Sequence, residues 1–491
     1  MFEHLQRLIK HSAVYGMTET VSRGIGFVLI FIYARLLTDT EIGIRSSIYS
    51  TAALLGIVYT LGLDNAFLRY YMDEEFENKK EEVFSTAFYF STFIGVFFLA
   101  AAMLYSEPLS FLLTKSSSFE YITRLIFIIL IFDTIVIYPT LILRAENRLV
   151  YFSLIALARF ILFIFMNLTL VWMIGRGLKG VFEANFIVVI LLSILLLPVY
   201  KNYLRLRISP FILKRMLIFG IPTIFTVLCM RVIDFSDRFV ILYMLGEKGA
   251  AELGGYSVAY TLGMVGIMVF VNSFRLAWQP FFLSHKNNPD AGNLFSRVAT
   301  YYSIFIGLVF LGITLFRREI FALYASKNFK LSLSEIVPFV SCAYIFFGFY
   351  IIMLAGIFIR EKTKVLPLVT FTGAALNLGL NFIFIPVFGV IGAAYTTVIA
   401  YVSMVIFMYI ISRRVYRIHY EFKRLGVVFV MTGFPILLSR MFQPDGNVIW
   451  FFYRCILCMI PVAVYLFSGF LFPEERKHLR RLFHRYCLRN G

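Results

Sequence analysis

The sequence predicts an all-α polytopic membrane protein of about 14 transmembrane helices, and three observations lead there. The 491 residues are 60% hydrophobic and 15% charged, against about 25% charged in an ordinary soluble chain. Apolar runs of roughly 20 residues recur from end to end, each long enough for a hydrocarbon core about 30 Å thick. The basic residues are also segregated along the chain rather than spread over it.

The runs fall at 12–35, 45–68, 83–104, 121–143, 151–174, 180–200, 216–245, 255–283, 298–316, 332–358, 364–387, 389–412, 425–442 and 447–472. The first is too long for a cleavable signal peptide and continues into "ARLLTDTEIG" without a small-residue cleavage site. The second runs into "GLDNAFLRYY", and the seventh carries four ionisable residues. The pieces between runs are short. The longest are Tyr70–Glu82, Tyr105–Glu120, Phe316–Leu331 and the tail after Phe472, so an extramembrane catalytic domain has no room. In the tail, Leu479, Leu482, Phe483 and Tyr486 share one helical face amid Arg and Lys. That pattern suits a helix lying on an anionic leaflet, or a frayed end.

With the N-terminus inside, the cytoplasmic segments hold 28 of the 46 Lys and Arg, and the outer ends and loops hold ten. This bias places both termini in the cytoplasm. The net charge of +18 is therefore an orientation signal and no nucleic-acid footprint. Cys455 and Cys458 have redox or zinc spacing but sit inside the last apolar run without a second ligand pair, which makes them packing residues. No metal and no cofactor is expected.

The chain also matches itself. "SRGIGFVLIFIYARLL" (Ser22–Leu37) lies without gaps on "MRVIDFSDRFVILYML" (Met230–Leu245), an offset of 208 that sets Arg23 on Arg231. "RAENR" at Arg144 and "REKTK" at Arg360 are 216 apart. Asn167 followed by "GLKG" resembles Asn381 followed by "GVIG". Six helices repeated by six, plus a terminal pair, is the economical reading. An even number gives two parallel repeats about an axis normal to the membrane, with a substrate site expected between them. The expected division is 1–206 and 207–418 for the two lobes, 419–472 for the last two helices and 473–491 for a basic tail.

Charges inside these runs are the functional clue. On insertion scales each central Arg or Asp costs about 2.5–3.5 kcal/mol, and each large apolar residue returns about 0.3–0.6. Arg231, Asp234, Asp237 and Arg238 in run seven cannot all face lipid. Arg231, Asp234 and Arg238 share one stripe, with Asp237 further round. Glu19 and Arg23 share a face in run one, and Arg23 lies roughly 16 Å deep. Asp64, Asp133, Arg159, Glu183, Arg275, Arg440 and Arg454 are further intramembrane charges. Such pairs also serve as plain helix clamps, and Arg35, Arg124, Arg275 and Arg440 lie near enough to run ends to snorkel. Paired guanidinium groups at a central cleft, Arg23 and Arg231 with Arg159 and Arg238 as companions, suit an anion held bidentately, above all a phosphate. Asp64, Asp133, Glu183, Asp234, Asp237 and Glu19 are candidates for ion coupling or charge pairing. Asn377 and Asn381, four residues apart, could meet substrate or bond helix to helix.

"FGIP" (Phe219–Pro222), "DRFVILYMLG", "GGYSVAYTL" and "NLGLNFIFIPVFGVIGAAYTTVIAY" (Asn377–Tyr401) resemble the polysaccharide flippases. These are the O-antigen repeat-unit, Wzx-type members of the multidrug/oligosaccharidyl-lipid/polysaccharide exporter superfamily. The resemblance runs from about residue 10 to 410. It implies a V-shaped pair of six-helix lobes, a cationic central cavity and alternating access. It implies as substrate an undecaprenyl-diphosphate-linked oligosaccharide, moved from the inner to the outer leaflet of a bacterial cytoplasmic membrane for lipopolysaccharide or other surface polysaccharide. The partners such a role implies are the lipid-linked oligosaccharide, membrane lipids, a glycan polymerase and chain-length machinery. "SRG" at Ser22–Gly24 is similar to a cavity element on the first helix of lipid II flippases, where the terminal helix pair is associated with the lipid tail. Here that pair carries Arg440 and Arg454. The alternatives are a multidrug antiporter of the same superfamily, which an acid-dominated cavity would favour, and a glycan polymerase or ligase, for which no outer-face Arg/His/Glu constellation is seen. An enzyme is not the expectation.

Overall fold

The structure is a computed structural model that describes residues 28–29, 31–325, 329–442, 447–467 and 470. Among these there is no strand, and 13 helices are long and apolar enough to cross a membrane. Helices follow from the solvent: hydrocarbon leaves no partner for backbone N–H and C=O groups except the segment's own. Most of the first expected span lies outside the described residues, and its end is α1 (31–36).

The first lobe continues with α2 (Asp39–Thr60), α3 (Leu63–Tyr71), α4 (Lys80–Leu104), α5 (Ser106–Thr114), α6 (Glu120–Ala145), α7 (Leu149–Asn167), α8 (Gly177–Leu195) and α9 (Leu197–Tyr203). The second comprises α10 (Pro210–Met244), α11 (Gly249–Ser284), α12 (Ala291–Leu315), α13 (Arg317–Tyr324), α14 (Ile336–Ile359), α15 (Leu366–Phe388) and α16 (Val390–Val415). α17 (Phe422–Met441) and α18 (Asn447–Phe467) form a terminal pair packed on α12. The two parallel repeats are visible in how each lobe is bonded. α1 ends at 36 and α10 at Met244, which preserves the offset of 208. Asn167 on α7 is fully buried and accepts from the Tyr33 hydroxyl on α1 at 2.6 Å. Asn381 on α15 is fully buried and donates to Ser236 Oγ on α10 at 3.3 Å. In both lobes an asparagine on the fifth spanning helix is tied to a hydroxyl on the first.

The second expected span differs from the structure. It is not one helix over 45–68: α2 starts earlier, at a capping box of Thr38 and Glu41, and stops at Leu61. Leu61 (φ 45°) and Gly62 (φ 70°) are left-handed, and α3 then restarts the helix. Gly62 is needed for space as well as for conformation. A Cβ there would meet the Gly220 carbonyl oxygen of α10 at 2.5 Å, and one on Gly220 would meet the Gly62 oxygen at 2.9 Å. The lobes thus touch main chain on main chain at the break. A discontinuous membrane helix is tolerated where its backbone is buried in protein or lines a cavity.

At the end carrying the α2 and α11 N-termini, here the upper end, the lobes meet through small residues. A Cβ on Gly43 would fall 1.8 Å from the Ala250 oxygen, and one on Gly254 would fall 1.9 Å from the Asp39 oxygen. The Ser257 hydroxyl donates to Ser46 Oγ across the same seam at 2.7 Å, and Lys115 Nζ donates to the Tyr243 carbonyl at 3.1 Å. At the lower end the Tyr70 hydroxyl donates to the Arg215 carbonyl at 3.2 Å, and Arg215 pairs with Glu75 at 2.6 Å.

Close approach of this kind cannot absorb a methyl group. Gly43→Ala or Gly254→Ala is expected to cost about 1–3 kcal/mol by overpacking and to part α2 from α11. The check is labelling of a cysteine placed by Ser257→Cys with a membrane-impermeant thiol reagent. Labelling should rise in either glycine variant and stay low in the parent.

Candidate functional site

α10 sorts its four charges between two surroundings. Arg231 is exposed, whereas Asp237 and Arg238 are buried and Asp234 is half-buried. Arg231 lies 13 residues below Met244, about 20 Å from the upper end of the helix. It opens on a cavity of about 340 Å³ that α10 shares with α2, α3 and α6 of the first lobe. The guanidinium has an aromatic neighbour, Phe235, at 5.8 Å. Among the described residues no carboxylate lies within ion-pair distance of it.

Asp64 and Asp133 line the same cavity. Asp64 stands in the first turn of α3, beside the Leu61–Gly62 break, where the free N–H groups of a new helix favour a negative charge. Asp133, on α6, pairs with Arg159 of α7 at 3.2 Å. The two side chains remain 35% and 46% exposed, so this pair is no sealed clamp. Asn65 is exposed beside Asp64. Thr134 and Thr223 also reach the wall, but their hydroxyls donate to their own helices, at Leu130 (2.8 Å) and Gly220 (2.7 Å). The polar wall groups that can meet a ligand are therefore Arg231, Asn65, Asp64 and Asp133, the last two already held in part, by Thr60 and by Arg159. Asn65 and Thr223 were not singled out in the sequence, although both sit within the quoted "GLDNAFLRYY" segment or directly after "FGIP".

The rest of the expected set lies elsewhere. Arg238 does not reach the cavity. It pairs with Asp237 at 2.5 Å with both side chains buried, and it stacks on Tyr260 at 4.1 Å. Asp237 also accepts from the Tyr256 hydroxyl. Asp234 accepts from the hydroxyls of Tyr344 (3.1 Å) and Tyr401 (2.9 Å). This network binds α10 to α11, α14 and α16 inside the second lobe. The physical reason is desolvation: a buried ion pair persists only when further hydrogen bonds satisfy its remaining donors and lone pairs, and the tyrosines supply them.

Asn377 and Asn381 are likewise fully buried. Asn377 Oδ1 accepts from Ser236 at 2.9 Å, and Asn381 Oδ1 accepts from Thr396. They hold α10, α15 and α16 together and do not face the cavity. Glu183 is held by Arg176 at 2.6 Å and by the Tyr121 hydroxyl at 3.1 Å, away from the cavity. Arg454 is buried against Glu319 at 2.5 Å, and Arg440 meets Glu335 at 3.2 Å; both tie the terminal pair to the second lobe. Arg45 lies against Tyr33 (4.4 Å) and Tyr49 (5.0 Å) in the first lobe. Glu19 and Arg23 lie outside the described residues. Among the described residues the wall carries two acids, Asp64 and Asp133, and one arginine, Arg231, with Arg159 behind Asp133 as its ion-pair partner; the resemblance implies a cationic cavity.

The two environments should respond differently to mutation. Arg238→Ala leaves Asp237 buried and unpaired, a loss of about 3–5 kcal/mol, and should sharply lower the yield of folded protein. Arg231→Ala removes an exposed group and should leave yield and thermal unfolding unchanged. Fluorescence-detected size-exclusion chromatography on both variants checks this.

A model of the family described as polysaccharide biosynthesis protein matches residues 8–285, more than half of the chain. Comparison with curated proteins by sequence gives no match. Solved structures share the fold. The lipid II flippase MurJ in an inward closed conformation aligns with a TM-score of 0.72 at 16% identity, over 92% of this chain and 98% of MurJ. An inward-facing multidrug resistance MATE family transporter of the MOP superfamily aligns at 0.64 and 16% identity, over 84% and 95%. A MOP superfamily transporter from Pyrococcus furiosus, described by the reverse polarity of its binding pocket, aligns at 0.58 and 16%, over 86% and 96%.

Proposed function

The chain belongs to the polysaccharide biosynthesis protein family, and we propose that it is a flippase for a lipid-linked oligosaccharide. In this reading the cargo is carried on undecaprenyl diphosphate from the inner to the outer leaflet of a bacterial cytoplasmic membrane, by alternating access between the two lobes. The multi-pass membrane fold it shares with flippases and transporters supports this.

One observation carries the reading. Arg231 is a deep intramembrane arginine, exposed to an interlobe cavity and without an ion-pair partner among the described residues. A guanidinium in that position is an open site for a diphosphate, which would otherwise cross hydrocarbon with its charge uncompensated. Arg23, matched to Arg231 by the repeat, is proposed as its partner. Arg159, paired with the wall residue Asp133, is the next cation. A phosphate reaching it competes with Asp133, which would free that carboxylate for a proton or a metal cation. Asp133 and Asp64 are therefore proposed as the coupling sites. The sugar is expected to meet polar wall groups such as Asn65.

A second reading rests on the same wall. Two carboxylates beside Arg231 would also suit a cationic cargo exchanged for protons or sodium. Complementation separates the two. In a flippase-deficient strain the wild-type chain should restore surface glycan. Arg231→Ala should cut transport by about 10–100-fold, the worth of a lost charge-assisted contact, with lipid-linked repeat units accumulating on the inner leaflet. Arg231→Lys should recover part of it, since the charge is kept and the fork geometry lost. Normal surface glycan in Arg231→Ala, or dye efflux without rescue by the wild-type chain, would overturn the flippase reading.

A further inference from the structure

Away from the interlobe cavity, the loops that follow α11, α14 and α16 converge at the lower end of the second lobe. They enclose a polar cavity of about 420 Å³. Arg360, Arg417 and His419 line it with Asn293 and Tyr416, and no carboxylate does. The three basic side chains are exposed, and among the described residues neither arginine has a carboxylate within ion-pair distance. Acids in these loops are otherwise placed. Glu421 is held by Arg424 at 2.9 Å and by the Thr300 hydroxyl at 2.7 Å, and Asp290 and Glu361 are exposed but lie off the cavity wall. Arg360 lies over the Tyr416 ring at 5.7 Å, an arrangement that leaves its N–H edge available for an acceptor.

The depth of the cavity suits a lipid headgroup better than a soluble ion. α12, α15 and α17 begin within a few residues of its lining, at Ala291, Leu366 and Phe422. Leu368 and Phe422, on the first turns of two of these helices, are exposed and apolar. The wall therefore offers cations at headgroup level, beside helices whose apolar first turns face outward. The charge bias of the sequence assigns this end to the cytoplasmic leaflet, which is rich in anionic lipid.

We propose that this cavity binds the phosphate of an anionic phospholipid headgroup, with Arg360 and Arg417 as its ligands and His419 beside them. It is independent of the transport reading and uses none of the same residues.

Native mass spectrometry on the purified full chain tests it, with phosphatidylglycerol titrated against phosphatidylcholine. The wild type should retain phosphatidylglycerol in preference. Arg360→Gln with Arg417→Gln should weaken that retention about 30-fold, from roughly 1 kcal/mol for each cation near a headgroup. Lys362→Gln with Lys364→Gln removes the same charge from exposed positions off the wall and should change little. Thermal unfolding in phosphatidylcholine checks that each pair folds, and Arg360→Gln alone, with a smaller loss in the same direction, stands in if the double variant does not. Equal losses in the two pairs would overturn the site in favour of diffuse surface charge, as would retention that ignores headgroup charge. Displacement of the lipid by millimolar inorganic phosphate would overturn the lipid assignment in favour of a soluble phosphate.

Discussion

The cost of placing charge in hydrocarbon governs this structure. Every ionisable group inside a membrane span must find protein or water, and α10 meets that requirement in two ways within a few residues. Asp234 and Asp237 turn inward to tyrosine hydroxyls on three neighbouring helices, and Arg238 pairs with Asp237. Arg231, two turns lower, turns to a cavity. The first solution builds the second lobe. The second leaves a deep cation open to a ligand, and the functional reading starts from that contrast.

The two fates come from a change of neighbours along one helix. At the level of Arg231 and below, α10 faces α2 and α3 of the first lobe across the cavity, while at the level of Asp237 and Arg238 the same stripe meets Tyr256 and Tyr260 of α11; α15 runs beside both levels, with Phe371 on Phe225 and Asn377 on Ser236. Arg231 lies at the transition. The break between α2 and α3 meets the same region, bringing Asp64 to the cavity wall at the start of a helix. Asp133 completes the wall from a pair with Arg159 that stays partly exposed. The site is therefore made where the repeats meet, with acids from the first lobe and the free arginine from the second.

Much of this was legible in the sequence. Run length and charge segregation predict the spans, because both follow directly from the bilayer. The offset of 208 predicts equivalent helices, and the buried asparagines at 167 and 381 bear out that equivalence. The orientation of Arg238 was not legible. It is seven residues from Arg231, so helical periodicity sets both on one stripe and cannot register that the helix passes from one packing environment into another. The break at Leu61–Gly62 was hidden for a similar reason: the apolar run is continuous across it, and only the approach of Gly220 from another lobe makes a left-handed glycine necessary. Asn377 and Asn381 read equally well as cavity groups or clamps, and tertiary contacts alone decide for the clamp.

The contact of Gly62 with Gly220 has a consequence for how such a protein can diversify. A contact made of peptide groups offers selection no side chain to exchange in small steps: either the two backbones touch or they are pushed apart. The surrounding residues, such as Val227 and Ile137, carry no such restriction. A lineage can therefore reshape the chamber for a different cargo while inheriting this contact unchanged.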